Sequence, residues 1–409
     1  METMNRAVGL MSGTSADGID AVLLETDGMT TPHVCARLAV PYPEPLRQRI
    51  LELYEPGNNE LDRLGTLDRD VGELFAMAAL DVCRIGGVAP SAVDVIGSHG
   101  QTVRHRPPFF SLQIANPFMI AHRSGIVTIA DFRMADMVRG GEGAPLVPLY
   151  HQILFGNARQ TTAVVNLGGI ANVTALPLDG PIVAGDTGPA NTLMDHWAEQ
   201  VSHGREHCDR DGARAARGAV NTDALHWLLR HPYFDRPFPK STGREIFGTT
   251  FLDEFVTRFP HMTTDDRFRT LTQLTVETVA RACERLLPPH PDRMVLCGGG
   301  AENPVLVAGL RERLVRTEVM SSSSLGVDTA FLEAEAFAWF AVRTLKGLPS
   351  NLPEATGAHT PAILGSIHLP GPGYQLLKEK RGLGDCPQDF DCKNKVNTLG
   401  AIPQTPFFS

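Results

Sequence analysis

Two short stretches concentrate side chains able to bind an anion and move a proton. The first, Ser12 to Asp20 (SGTSADGID), sets two glycines, hydroxyls and two carboxylates between apolar runs at Ala7 to Met11 and Ile19 to Leu24. Such a turn can aim several backbone N–H groups at phosphate oxygens, because glycine admits the angles that bring successive amides to one point. It matches neither GxxxxGK[ST] nor GxGxxG, and a surface hairpin rich in turn formers accounts for it as well when it is taken alone. Two carboxylates beside a phosphate repel it unless Mg²⁺ intervenes, so the fitting guest is a metal–nucleotide complex. The second stretch, GDTGPAN at Gly185 to Asn191, puts Asp186 ahead of the helical pattern TLMDHWAEQV. Asp186 is either an N-cap, worth about 1 kcal/mol, or a general base facing the first turn across a cleft.

Other groups could complete such a site. Gly298, Gly299 and Gly300 follow an apolar run in LCGGGAENPVL, where they either admit a ligand to the backbone or allow a helix to pack on a strand. His99 and Gln101 in HGQT and Arg133 in DFR each lie just past an apolar run and offer mixed donors and acceptors to a polyhydroxylated or carboxylated ligand. His99 alone reads as an ordinary loop histidine. KSTGRE, Lys240 to Glu245, is either a solvated loop or the bearer of Arg244 to a charged substrate. Glu333 and Glu335 interrupt AFLEAEAFAWFAVRTL, an apolar helix former that must be buried, so one of them is expected to enter a polar cleft.

The elements that must position these residues repeat. Strand, turn and strand at Ala7 to Leu24 return as TAVVNL, GGIAN and VTALPL, and each copy runs on through helical patterns to an apolar run ending in glycine, DVIGSHG and RMVLCGGG. Amphipathic periodicity predicts helices at Leu46 to Leu53, Leu61 to Ile85, Leu225 to Leu229 and Phe268 to Leu287. Strands mixed with helices of this length imply α/β layers. The helix at Ala330 to Leu345 is expected to lie across the two halves.

Composition narrows the partners. A chain of 409 residues with 43% hydrophobic and 20% charged residues suits a globular protein of two or three domains. A net charge of −9 leaves no basic surplus for nucleic acid or an anionic membrane. The longest apolar runs fall short of a membrane span, and the start resembles no signal peptide, so a cytoplasmic location is expected. Seven scattered cysteines fit free thiols; Cys386 and Cys392 could pair only with difficulty, no spacing suggests a metal site, and the Asn172 sequon is chance. Residues 371–409 read as an irregular tail.

Seven motifs in order, GLMSGTSADGIDAVL, SHGQTVRH, ADFRMADMVRGGEGAPLVP, VVNLGGIANVT, GDTGPANTLMDHW, PKSTGRE and LCGGGAENPVL, resemble those of the bacterial anhydro-N-acetylmuramic acid kinases from about Val8 to Ile367. The resemblance implies the superfamily of actin, hexokinase and the heat-shock chaperone ATPases: two RNase H-like α/β domains with a central interdomain cleft. The implied domains are 1–130 plus about 343–370, and 131–342. The implied reaction opens the 1,6-anhydro ring of anhydro-N-acetylmuramic acid with water and phosphorylates O6 from ATP, with Mg²⁺ accompanying the nucleotide, to give N-acetylmuramic acid 6-phosphate for peptidoglycan recycling. By match to the motifs, Asp186 is the base. Gly13, Thr14, Ser15, Ala16, Asp17, Gly18, Ile19 and Asp20 form the phosphate loop, and Gly298, Gly299 and Gly300 approach the nucleotide. Gln101, Arg133 and Glu333 line the sugar side, Arg133 towards the lactyl carboxylate. Homodimers are usual in that family. Ala190 stands where glycine is expected, and the tail lies outside the resemblance. The alternatives are a kinase of another 1,6-anhydro sugar such as levoglucosan, and a non-catalytic ATP-binding protein of the same superfamily.

Overall fold

The computed structural model describes residues 4–371; the expected tail, with Cys386 and Cys392, lies outside them apart from Gly371. Two sheets organise the described chain. The first takes β1 (Asn5–Ser12), β2 (Gly18–Thr26), β3 (His33–Pro41), β4 (Val95–Arg106), β5 (Phe110–Ile114) and β6 (Thr128–Ala130). The second takes β7 (Thr162–Leu167), β8 (Ile170–Leu176), β9 (Val183–Pro189), β10 (Arg293–Cys297) and β11 (Glu318–Ser321), and β12 (Ser366–His368) returns to the edge of the first.

The sheets share one plan. In the first the order is β12-β6-β4-β1-β2-β3, with β5 on β4; in the second it is β11-β10-β7-β8-β9. In both, an antiparallel three-strand meander is followed by strands parallel to its first member: β1 with β4, β7 with β10. The repeat visible in the amino-acid pattern is therefore a repeat of topology, the RNase H-like order.

β1 is apolar along most of its length because helices cover both faces of its sheet. Alternation assigns the faces: Val8 and Leu10 join the core under helix Glu60–Ile85, whereas Ala7 and Met11 join that of helix Leu332–Leu345. The same alternation puts Ile19, Ala21 and Leu23 of β2 on the first face, and Val22 and Leu24, with Asp20 between β1 and its own polar end, on the second. Gly9 and Gly97 sit opposite one another on β1 and β4. A Cβ on Gly9 would meet Ala334 O at 1.8 Å and one on Gly97 would meet Phe337 O at 2.0 Å, so these glycines let helix Leu332–Leu345 lie directly on the strands. The return to the first lobe, expected at about 343, falls inside this helix, which lies against β1, β2 and β4 of the first sheet. Its core also runs on through helix Pro148–Phe155 to Val164, Val295 and Cys297 of the second sheet.

The local forecasts differ in detail. The turn in GGIAN is only Gly168 and Gly169, since β8 begins at Ile170. Asp186 lies within β9 rather than at its end, paired with Asn172 next to a bulge.

Candidate active site

The turns after β1 and β7 occupy equivalent places in the two sheets and line one cavity of about 820 Å³, together with Asp186. From the first turn come Gly13, Thr14 and Ser15, and from the second Gly168 and Gly169. A deeper compartment of about 320 Å³ shares Met11, Arg133, Asn166, Asn172 and Glu333 with it.

The first turn is built by residues that never face the cavity. Ala16 is fully buried at φ +52° and Ile19 is buried in the core, so both shape the loop. Gly18 has no room for a side chain, because a Cβ would lie 2.3 Å from Val40 O. Asp17 turns outwards to Arg47 at 3.4 Å and is well exposed. Gln101, expected at the sugar, lies instead behind the loop: it is completely buried, its Nε2 donates to Gly13 O at 2.9 Å and to Tyr54 Oη at 3.0 Å, and its Oε1 lies 2.6 Å from Ser12 Oγ. Tyr54 in turn donates to Thr14 O at 3.0 Å. Both N–H groups of this buried amide are thus donated to the loop and to Tyr54, which holds Gln101 behind the loop rather than at the cavity wall. Asp20, opposite Met11 in the hairpin register, is pushed up to about 6 by burial, then by the charges of Glu333 and Asp328.

Asp186 does not cap helix Asn191–Ser202, whose N-cap is Ala190 and carries no side-chain bond. Its Oδ2 instead accepts the Thr242 amide at 2.9 Å, its own N–H donates to Lys240 O at 2.8 Å, and its carbonyl accepts from Tyr233 Oη at 2.8 Å. Gly185 permits this clamp, since a Cβ there would meet Lys240 O at 2.8 Å. Burial pushes the Asp186 carboxyl up to about 6, with Glu142 and Glu245 adding and the Thr242 amide and Lys240 opposing. Lys240 is buried, its Nζ donating at 3.1 Å to Tyr233 O and Phe234 O and lying 4.6 Å from the Tyr233 ring centre; burial and neighbouring arginines pull its pKa down to about 8.

The two helix glutamates separate cleanly. Glu335 is buried in a structural cluster, paired with Arg37 at 2.8 Å and accepting from Tyr150 Oη at 3.1 Å. Glu333 lies at the cleft: its side chain is reached by solvent there although protein surrounds it, and desolvation raises its pKa against the pull of Arg133. Arg133 lines both compartments. His99 is buried in β4 and touches Arg133 rather than standing as a loop histidine. Gly298 and Gly300 would clash with Asn166 and Leu167 if they carried side chains, so they serve packing against the second hairpin, while Gly299 faces open space.

The second glycine turn and the cavity residues Tyr54, Asn166, Asn172 and Thr242 were not among the expected site residues. The repeat itself contained the signal for the turn, since equivalent hairpins place equivalent turns. Away from the cleft, Glu25, His33 and Cys35 bring one ligand atom each within 4.8 Å of one another, but Glu25 is ion-paired with Arg6 at 2.9 Å. No helix among the described residues is long and apolar enough to cross a membrane.

Twin RNase H-like sheets whose first hairpin turns line one cavity, with an acid of raised pKa beside them, form a two-lobed α/β fold of the actin and hexokinase kind. The model of the anhydro-N-acetylmuramic acid kinase family matches residues 5–370, and the chain belongs to that family. It is 46% identical over 363 residues to the anhydro-N-acetylmuramic acid kinase of Shewanella amazonensis, covering 88% of this chain and 97% of that one. It is also 46% identical to that of Shewanella halifaxensis, covering 88% and 98%. Among solved structures it is similar to component A of the (R)-2-hydroxyglutaryl-CoA dehydratase of Acidaminococcus fermentans, with a TM-score of 0.45, 10% identity, and coverage of 84% of this chain and 99% of that one.

Proposed function

We propose that the cleft holds ATP and the anhydro sugar together and that Asp186 is the base that activates water. The observation that carries this reading is Asp186, with its pKa at about 6, in one cavity with both glycine turns. A carboxylate titrating there is ionised at neutral pH and basic enough to accept a proton in the transition state. The protein is an ATP-dependent phosphotransferase: it opens the 1,6-anhydro ring of anhydro-N-acetylmuramic acid with water and phosphorylates O6, giving N-acetylmuramic acid 6-phosphate and ADP in peptidoglycan recycling.

The substrate dictates the base's task. O6 of an anhydro sugar is an ether oxygen with no proton to remove, so the base acts on water. Asp186 takes a proton as the water oxygen bonds to C1; the C1–O6 bond breaks and O6 takes the γ-phosphoryl group from ATP. The positive charge developing at C1 is eased by the same carboxylate. In this reading the amides of the turn at Gly13 to Ser15 hold the phosphates, Ala16, Asp17, Gly18 and Ile19 give the turn its shape, and Gln101 and Tyr54 brace it from behind. Gly299 offers its open face to the nucleotide. Asp20, a carboxylate of the kind Mg²⁺ takes, mostly through water, would meet the ion that accompanies the nucleotide. When bound with the nucleotide, Mg²⁺ would offset phosphate charge. Glu333 and Arg133 face the sugar, Arg133 meeting the lactyl carboxylate. Cytoplasmic location and a homodimer belong to this reading, the latter on the habit of the family, and sedimentation checks it.

The test is turnover in ¹⁸O-labelled water. Protein, Mg-ATP and anhydro-N-acetylmuramic acid should release ADP and place the label at C1 of the product. Label in the phosphate would overturn ring opening by water, and ADP release with levoglucosan alone would select the other sugar.

A further inference from the structure

Arg133 is held in an unusual way. Its Nε and Nη2 donate at 3.0 and 2.9 Å to one atom, His99 Nε2, and its Nη1 donates to Gly143 O at 2.7 Å. Since Nε2 accepts from the guanidinium, the ring proton sits on Nδ1, which lies 3.0 Å from Gly100 O and donates to it. Of the five N–H groups of an arginine, two remain for the cavity that Arg133 lines on both sides. No carboxylate among the described residues comes within ion-pairing distance of Arg133. Asp136, three residues on, has its carboxyl occupied by the Gly143 amide, Asn351 and Thr356 at 2.6 to 2.8 Å.

Most buried arginines are aimed by a carboxylate, which also neutralises them. Here the acceptors are an imidazole and a carbonyl, both uncharged. Burial and the guanidinium beside it push the imidazole's pKa well below its ordinary value and so favour the neutral ring, whose centre lies 4.6 Å from that of Phe337. Glu333 and Asp136 act on Arg133 only from beyond contact distance.

We infer that His99 is a positioning residue for substrate choice, a neutral acceptor that aims Arg133 into the cleft while leaving its positive charge free for an anionic substituent of the sugar. A carboxylate at this place would aim the guanidinium equally well and cancel the charge that distinguishes an acidic sugar from a neutral one. The inference rests on the reading that the cleft takes a sugar bearing a carboxylate.

The experiment measures kcat/KM for anhydro-N-acetylmuramic acid and for 1,6-anhydro-N-acetylglucosamine, which lacks the lactyl group. In His99→Phe, which keeps a ring but removes the acceptor, the ratio of acidic to neutral sugar should fall about tenfold, the size of one charge-assisted hydrogen bond, with the change in KM rather than kcat. His99→Gln, whose amide oxygen reaches the place of Nε2, should restore most of the ratio. An equal loss for both sugars, or an unchanged ratio in folded His99→Phe, overturns the role of His99. A wild-type protein with no preference for the acidic sugar points to failure of the carboxylate reading instead.

Discussion

Asp186 combines two properties that pull against each other. Burial raises its proton affinity, which suits a base, and the same burial penalises the charged form in the folded state. The folded carboxyl keeps its proton up to about pH 6, whereas an unfolded aspartate loses it near 4. Between those values the folded state binds more protons, so this group's contribution to stability falls as pH rises from about 4 to about 6 and stays reduced above. Asp186→Asn should therefore lower kcat by roughly 10²–10⁴-fold and yet melt higher than wild type at pH 7, the gain shrinking as pH falls to 4. Thermal melts across that range check the second half; a variant no more stable at pH 7 would remove the desolvation argument. In the wild type, kcat/KM should fall as pH drops below about 6. Part of this was legible beforehand: an acid in a Gly-rich segment ahead of a helix pattern left cap or base open, and Ala190 occupies the cap position. Gln101 was not legible in the same way. Its spacing from the first turn is 88 residues to Gly13, and only the parallel pairing of β1 with β4 brings Ser12 beside it. Residue type suggested a sugar contact; register made it a brace.

At the scale of elements, the strand pair β1 and β4 meets helix Leu332–Leu345 through glycines, and the helix carries Glu333 on its first turn. The apolar run at Ala330 to Leu345 predicted burial, and the glutamates within it predicted a polar exit, but the depth of the contact depends on Gly9 and Gly97 facing each other in register, which no local pattern reveals. Gly97→Ala would place a methyl group 2.0 Å from Phe337 O, a contact only a shift of the helix can relieve. Overpacking of this kind costs about 1–3 kcal/mol, and the shift would displace Glu333 from the cleft. The expected outcome is a lower melting temperature with a raised KM for the sugar. Gly65→Ala is the control: it lies inside helix Glu60–Ile85 with nothing within 4 Å of the new methyl, and alanine there should stabilise by about 0.5–1 kcal/mol. Equal effects from the two substitutions would mean that close helix packing is not what holds the strands.

At the scale of the whole molecule, two sheets of equal topology suggest two lobes that fold and melt separately, and the repeat in the sequence points the same way. Packing argues otherwise. One apolar cluster joins Ala7 and Val22 of the first sheet, helix Leu332–Leu345, helix Pro148–Phe155, and Val164 and Val295 of the second, with Trp339, Phe340 and Tyr150 fully buried inside it. Pulling the lobes apart would expose large aromatic side chains, each of which buries on the order of 150–250 Å², so a state with one lobe folded and its inner face bare is strongly disfavoured. Calorimetry of the ligand-free protein should show one transition over residues 4–371, with the calorimetric and van't Hoff enthalpies in agreement. Mg-ATP and the sugar should move that transition upwards as a unit, because ligands that bridge the cleft bind only the state in which both hairpin turns are formed. Two resolved transitions, with only the second-lobe transition shifting on addition of nucleotide, would show that the shared core does not couple the lobes. Closure would then have to be treated as docking of independent domains rather than bending about a common interior.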